Sequence, residues 1–216
     1  SSNIDFEGNQ LCPPYPSCFS PTDVGIQDLT NCDEIIVQCE EGYMEKNNFC
    51  YNQFDLNVLQ EIINNIEIEN MFHDENEDGV IQPLELGNQT WINGRITSLS
   101  IMGNYSGQIP EIIWSLTTLE SLNLGPLIGV LPPTISNLNN LTYLRGRNLT
   151  GNIPFEIYNL INLKTLDFEF SNLTGEISSE IGNLINLTDL WLSNNDFNGE
   201  IPVEIGNLIN LEKLSL

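Results

Sequence analysis

Between residues 74 and 85 the chain reads Asp-Glu-Asn-Glu-Asp-Gly-Val-Ile-Gln-Pro-Leu-Glu, with oxygen donors recurring at alternate positions. Asp74, Asn76 and Asp78 alternate, Gly79 permits a sharp turn, and Gln82 and Glu85 come where a wrapping loop returns on itself. Calcium takes about six to eight hard oxygens from a loop able to enclose it, so this pattern suits a calcium ion. Val80 would offer its main-chain carbonyl, Ile81 an apolar anchor and Glu85 a bidentate carboxylate. The competing reading is an acidic surface turn, since Asp and Asn favour turns and Gly supplies positive φ. Pro83 and Gly87 leave room for only a stub of helix after the loop, and no second such loop is present to pair with it. The expected role of the ion is therefore structural, because a sensor needs a pair of helices that can open.

In order and spacing this segment resembles the EF-hand calcium loop. Asp74, Asn76 and Asp78 stand at its first, third and fifth positions, Gly79 at the sixth, Ile81 at the eighth, Gln82 at the ninth and Glu85 at the last. His73 lies beside Asp74 with no second histidine and no Ser or Cys in a nucleophile motif. It reads as a surface or helix-end histidine, and the chain is not expected to be an enzyme.

The segments around this loop are of two kinds. Residues 1–54 are rich in turns and hold all five cysteines, Cys12, Cys18, Cys32, Cys39 and Cys50. Clustered cysteines staple a segment with a poor core of its own, and they belong to an oxidising compartment. Cys12–Cys18 would close a proline-ruled loop and Cys39–Cys50 a hairpin, leaving Cys32 either buried and inert or paired between molecules; connectivity is not readable from spacing. Residues 55–72 carry Leu56, Leu59, Ile62, Ile63, Ile66 and Met71 at helical spacing, with Asp55 as the expected N-cap. This helix is expected to cover the first coil of the C-terminal part, so that residues 55–95 form a capping helix with the calcium loop.

From residue 96 onward the chain is periodic. LKTLDFEFSNLTGEISSEIGNLIN (163–186) and LTDLWLSNNDFNGEIPVEIGNLIN (187–210) are successive copies, and a further one begins at Leu211. Shorter versions occupy 96–118, 119–140 and 141–162, and the tail Gly-x-Ile-Pro recurs at Gly107, Gly151 and Gly199. The period and pattern identify a leucine-rich repeat, and the tail resembles the plant-type members of that family. The implied fold is an α/β solenoid, a right-handed superhelix with one parallel sheet, preceded by the cysteine-containing cap. No single repeat buries its apolar face alone, so the coils must stack. In this family an Asn after each strand forms a hydrogen-bonded ladder; Asn104 and Asn195 hold that place here, and Ser171 replaces it, so the ladder should break in the middle. Trp91 with Asn93-Gly94-Arg95-Ile96 is similar to the Trp-containing segment of plant receptor ectodomains, whereas their usual cysteine pair before the first repeat is absent.

Charge and modification signals bound the function. Thirty acidic residues against six basic ones exclude nucleic-acid binding by the usual electrostatic route. Residues 1–90 carry 18 Asp or Glu against Lys46 alone. No apolar run reaches the roughly 18–20 residues of a membrane span. Six Asn-x-Ser/Thr sequons start at Asn88, Asn104, Asn140, Asn148, Asn172 and Asn186. With the cysteines they point to an extracellular protein bearing N-linked glycans, Ser1 then being a mature N-terminus.

Outward strand positions should form two columns on the concave face: Ser100, Asn123, Arg145, Asp167, Trp191, Ser215 and Ser98, Ser121, Tyr143, Thr165, Asp189, Lys213. Tyr143, Arg145, Asp167, Asp189 and Trp191 have the composition of a protein-binding hot spot, against the plainer reading that Arg145 and Asp167 simply pair as neighbours. No regular Thr array appears, which argues against an ice-binding face. The repeats run to Leu216 without a cap, so either the array is part of a longer one or its end docks on another copy and builds a filament. The expected function is an extracellular scaffold for protein partners, including copies of itself. The alternatives are a ligand-binding receptor ectodomain and an inhibitor of a secreted enzyme.

Overall fold

The computed structural model of the chain describes residues 38–68, 80–103 and 105–216. Cys12, Cys18, Cys32, His73, Asp74, Asn76, Asp78 and Asn104 lie outside the described residues. The chain divides after Asn52 into two compact units. In the first, strands Tyr43–Lys46 and Phe49–Asn52 pair antiparallel, with Glu45 opposite Cys50. Asn47 and Asn48 turn the hairpin with φ of 56° and 63°. Two successive positive φ values are what a tight type I′ turn demands, and Asn tolerates them. Cys39 and Cys50 form a disulfide across 5.5 Å between Cα atoms, the one expected pairing within the described residues.

The second unit opens with the helix Gln53–Asn65, which is shorter than its hydrophobic spacing implies. The apolar periodicity continues to Met71, but Ile66–Ile68 leave the helix and pair antiparallel with Tyr105–Gly107. Isoleucines alternating around Glu67 suit a strand, and a pairing partner overrides a weak helical preference. The Asn65 side-chain amide donates to the Glu61 carbonyl at 2.7 Å, one turn back at the end of the helix. Nor is Asp55 the N-cap: it lies in the first helical turn, fully buried. Its carboxylate accepts from Arg95 Nε at 2.8 Å, from a second guanidinium nitrogen at 3.0 Å and from the Ile96 amide at 3.0 Å. That three-bond clasp ties the helix to the first coil. Val58, Leu59 and Ile62 on its inner face join one apolar core with Ile96, Leu99 and Ile113.

Coils then stack. One sheet runs, in spatial order, through Lys213–Ser215, Asp189–Trp191, Thr165–Asp167, Tyr143–Arg145, Ser121–Asn123, Arg95–Ser100 and Asn88–Ile92. Its neighbours are parallel except the first hairpin, Asn88–Ile92 against Arg95–Ser100. A second parallel sheet of Asp196–Asn198, Asn172–Glu176 and Thr150–Asn152 lies on the other side of each turn. Short 3₁₀ segments such as Ser179–Asn183 and Val203–Asn207 complete the coils. Leu122, Leu144, Leu166 and Leu190 repeat at one inward strand position and are fully buried. At Gly125, with φ of +58°, a Cβ would lie 1.5 Å from the Ile101 carbonyl oxygen, so only glycine lets these two coils touch.

The polar ladder between coils is not broken at Ser171. Asn195 accepts from the Leu173 amide at 3.0 Å and donates to the Phe168 carbonyl at 2.8 Å. One coil earlier, Ser171 Oγ accepts from the Leu149 amide at 3.2 Å and donates to the Gly146 carbonyl at 3.5 Å. The two sets of partners are equivalent. The preceding repeat is two residues shorter, which brings the backbone within reach of a shorter side chain.

Candidate functional site

Two faces of the stacked coils present organised polar groups. On the strand face, parallel registers without a slip align Ser98, Ser121, Tyr143, Thr165, Asp189 and Lys213 in one column. Ser100, Asn123, Arg145, Asp167, Trp191 and Ser215 align in the next. The charges in these columns are largely spent on one another. Arg145 Nε lies 3.1 Å from Asp167, and Lys213 Nζ lies 2.7 Å from Asp189. Hydrogen bonds from Lys213 and Thr188 hold the Asp189 carboxyl below the usual carboxylate range. Glu169 accepts from the Ser193 and Ser215 hydroxyls and binds three coils together. Tyr143 and Trp191 are partly buried.

At the ends of strands Tyr143–Arg145 and Thr165–Asp167 lies an arrangement that the strand pattern did not signal. Arg147 stacks on the Phe170 ring, with Cζ 5.3 Å from its centroid. Its Nε is buried and has no hydrogen-bond partner, and the residue makes no ion pair among the described residues. Phe170 has φ of +55° and is 54% exposed. Positive φ is strained for a bulky residue, and an aromatic side chain gains nothing from solvent. An orphaned donor and a strained, exposed aromatic therefore meet at one point. In sequence, the only hint was that Arg147 and Phe170 flank the two-residue length change between these repeats.

The other face lies on the 3₁₀ side, where Asn-Leu-x-Asn recurs at 137–140, 159–162, 183–186 and 207–210. Each leucine is buried, whereas both asparagines and the residue between are exposed. Asn140, Asn162, Asn186 and Asn210 donate Nδ2 to the carbonyls of Thr117, Asn139, Ile161 and Ile185 at 2.8–2.9 Å, each one coil back. No charged residue stands at any of these exposed positions. The same geometry bears on the sequons. Asn88, Asn140, Asn148, Asn172 and Asn186 are all exposed, but Asn140, Asn148 and Asn186 each use the amide nitrogen in an inter-coil bond. The side-chain amides of Asn88 and Asn172 make no such bond.

Of the calcium donor set, Val80, Gln82 and Glu85 lie within the described residues. Glu85 Oε2 accepts from the Gln82 amide at 2.8 Å in a capping box over the 3₁₀ turn Pro83–Glu85. Calcium binding would require Glu85 to exchange that bond for the cation. Among the described residues no group of three or more His, Cys, Asp or Glu is arranged to hold a metal.

No family model and no curated protein matches the chain. Solved structures do. A plant ice-binding protein is 31% identical over 73% of this chain and 53% of its own, with a TM-score of 0.62. The BIR3–SERK2 complex of Arabidopsis thaliana is 27% identical over 73% of this chain and 92% of its own, with a TM-score of 0.59. The Arabidopsis receptor kinase HAESA, solved with the peptide hormone IDA and the co-receptor SERK1, is 36% identical over 55% of this chain, with a TM-score of 0.52. This chain spans 21% of that structure, and 16% and 20% of two other solved structures that it matches, PEPR1 with AtPEP1 and a TDR receptor. In structure the chain is thus similar to leucine-rich-repeat ectodomains of plant receptor kinases, among them that of SOBIR1 from Arabidopsis thaliana, 26% identical over 76% of this chain and 91% of its own with a TM-score of 0.58.

Proposed function

We propose that this chain is an extracellular ligand-binding region whose contact surface is the strand face together with the Arg147–Phe170 corner. The observation that carries the reading is the orphaned, buried Arg147 Nε beside a strained and exposed Phe170. An unpaired buried donor costs about 1–3 kcal/mol, and positive φ at a bulky residue a similar amount. A partner that supplies an acceptor and covers the ring recovers both. Because the strand-face cations Arg145 and Lys213 are already paired with Asp167 and Asp189, the ligand that fits is a peptide or protein segment carrying one carboxylate beside an apolar side chain. Tyr143 and Trp191 would supply the apolar contact area along the columns. Selection of a random peptide display library on the immobilised chain tests this. Acidic–apolar sequences should be enriched, and their binding should fall sharply with Arg147→Gln. Enrichment that survives Arg147→Gln, or no enrichment, would sink the reading. Phe170→Gly gives a sharper signature, since it should raise stability by about 1 kcal/mol while weakening the same peptides.

Calcium in the 74–85 loop and glycans at Asn88 and Asn172 complete this reading of a secreted or surface protein. Their support is the donor spacing for the first and the exposed, unengaged amides for the second. A chelator should lower the melting temperature of the native protein, and glycosidase should lower its intact mass. End-to-end docking between copies is a separate proposal, supported by the parallel, slip-free stacking of the coils, which a second copy could continue as a heterologous, non-closing contact. Sedimentation of concentrated protein as a single monomeric species would exclude it.

A second reading is ice binding. It is supported by the likeness to the plant ice-binding protein and by the uncharged residues at the Asn-Leu-x-Asn positions, beside which Glu180 accepts from Asn183 Nδ2. Growing ice slowly from a dilute solution of the protein tests it, because an ice binder enters the solid and other proteins are left in the liquid.

A further inference from the structure

Resting on the ice-binding reading, we infer that the lattice-binding surface is the Asn–Ile edge of the coils, built from Asn162, Asn186, Asn210, Ile161, Ile185 and Ile209, and not the strand face. Three properties separate this edge from the strand face.

The first is order. Each of the three asparagines donates Nδ2 to the carbonyl one coil back at 2.8 Å, which fixes the amide plane, and Oδ1 has no hydrogen-bond partner among the described residues. The ordering entropy of these side chains is therefore spent on folding and not on binding. The second is period. Strands of successive coils pair in parallel with no register slip, about 4.8 Å apart on the strand face, so equivalent atoms of the edge recur once per coil. A row of fixed acceptors at one repeated step complements a ligand that is itself a repeated array of hydroxyl donors. A single peptide or small molecule would use only one or two of its members. The third is charge. In a chain of 30 acidic and 6 basic residues, the edge positions themselves carry no charge on three successive coils, and the exposed charges next to them in sequence are Lys164 and Glu212, two residues beyond Asn162 and Asn210. A charged group holds its own hydration shell and would compete with an ordered water lattice. Between the acceptors stand methyl groups, with Ile161, Ile185 and Ile209 exposed by 55%, 53% and 86%. Isoleucine repeated at one exposed position is not explained by the core, which the intervening Leu160, Leu184 and Leu208 already fill.

The strand face has the same period and none of this uniformity. Its columns change from Arg145 to Asp167 to Trp191 on consecutive coils, so no lattice plane can match them. The occupant of the edge is an ice surface, and partition between ice and liquid separates it from others.

The experiment is partition of the full chain into slowly grown ice, with Ile161→Lys and Ile185→Lys on the edge and Ser121→Lys on the strand face. The edge residues are exposed, so the variants should keep the parent melting temperature, and Ile185→Val should keep full incorporation. Each lysine on the edge should lower the ice-bound fraction by about tenfold, because an ammonium would lose hydration at the contact. Ser121→Lys should leave it unchanged. If the parent chain is excluded from ice, the reading and the inference fall together. If the parent enters ice and the edge lysines enter equally, the reading stands and the assigned surface is wrong. Loss of incorporation with Ser121→Lys alone would move the surface to the strands. Parent protein that pellets with crystalline cellulose and is excluded from ice would replace the occupant.

Discussion

The first and the last coils of the solenoid are built from the same repeat and end in different states. Over the first, the Gln53–Asn65 helix brings Leu59 and Ile62 onto Leu86, Ile96 and Leu99, and all five lose their solvent exposure entirely. In the last, Val203 and Ile209 are 87% and 86% exposed, and Leu214 and Leu216 remain nearly half-exposed. Leu214 stands in register with Leu190, which is fully buried. The residue type and strand position are identical, so burial belongs to the neighbouring coil and not to the leucine. A repeat protein distributes its stability across interfaces, and a coil is only as stable as the surfaces that cover it.

Substitutions can break this contrast or sharpen it. The largest effect is expected for Leu59→Ala beneath the helix, about 3–5 kcal/mol, because a cavity opens in a surface sealed on both sides. Denaturant unfolding of this variant should show a lower midpoint. Asp55→Ala should come next at about 3 kcal/mol, since it removes the clasp on Arg95 and leaves the Ile96 amide without its acceptor. Arg95 can still reach solvent, which places the cost at the low end for a buried ion pair. If Asp55→Ala unfolds like the parent, the helix is held by apolar contact alone.

Ser171→Ala should cost about 1–2 kcal/mol, because it strands the Leu149 amide inside the stack. Ser171→Asn should not improve on the parent, since the serine already makes both inter-coil bonds. Leu214→Ala, in register with the buried column, should change stability by less than about 1 kcal/mol. A loss as large as at Leu59 would mean that the last coil is covered in solution.

The smallest effect concerns pH. Burial is the main cause that pushes the Tyr158 phenol above its ordinary range, with Glu180 adding and the Ser178 main chain opposing. The native state holds this proton after the unfolded chain has released it. Stability is therefore intact below the ordinary tyrosine range and falls as pH rises through it. Tyr158→Phe should flatten that alkaline decline in a melting-temperature series.

Much of the fold was legible because repeats encode it redundantly. The strand registers come from Leu-x-Leu alternation, which places Leu166 and Leu190 inward and Asp167 and Trp191 outward without reference to anything distant. The Cys39–Cys50 bridge was legible because it closes a hairpin over a short separation. The helix end was not, since Ile66 and Ile68 fit either period and only the strand Tyr105–Gly107 decides between them. Asp55 was read as a cap from its local position, whereas Arg95, forty residues away, sets its role.

The same division runs through the candidate surfaces. Residue order alone determined the solenoid, its outward columns and the recurrence of Asn-Leu-x-Asn, because each is a matter of period. Tertiary structure decided that Asn186 bonds to the coil before it, that Ser171 can stand in for asparagine, and that Arg147 is left with a buried nitrogen and no acceptor. Those outcomes depend on how closely two coils approach, and that distance is set by packing between residues more than twenty positions apart.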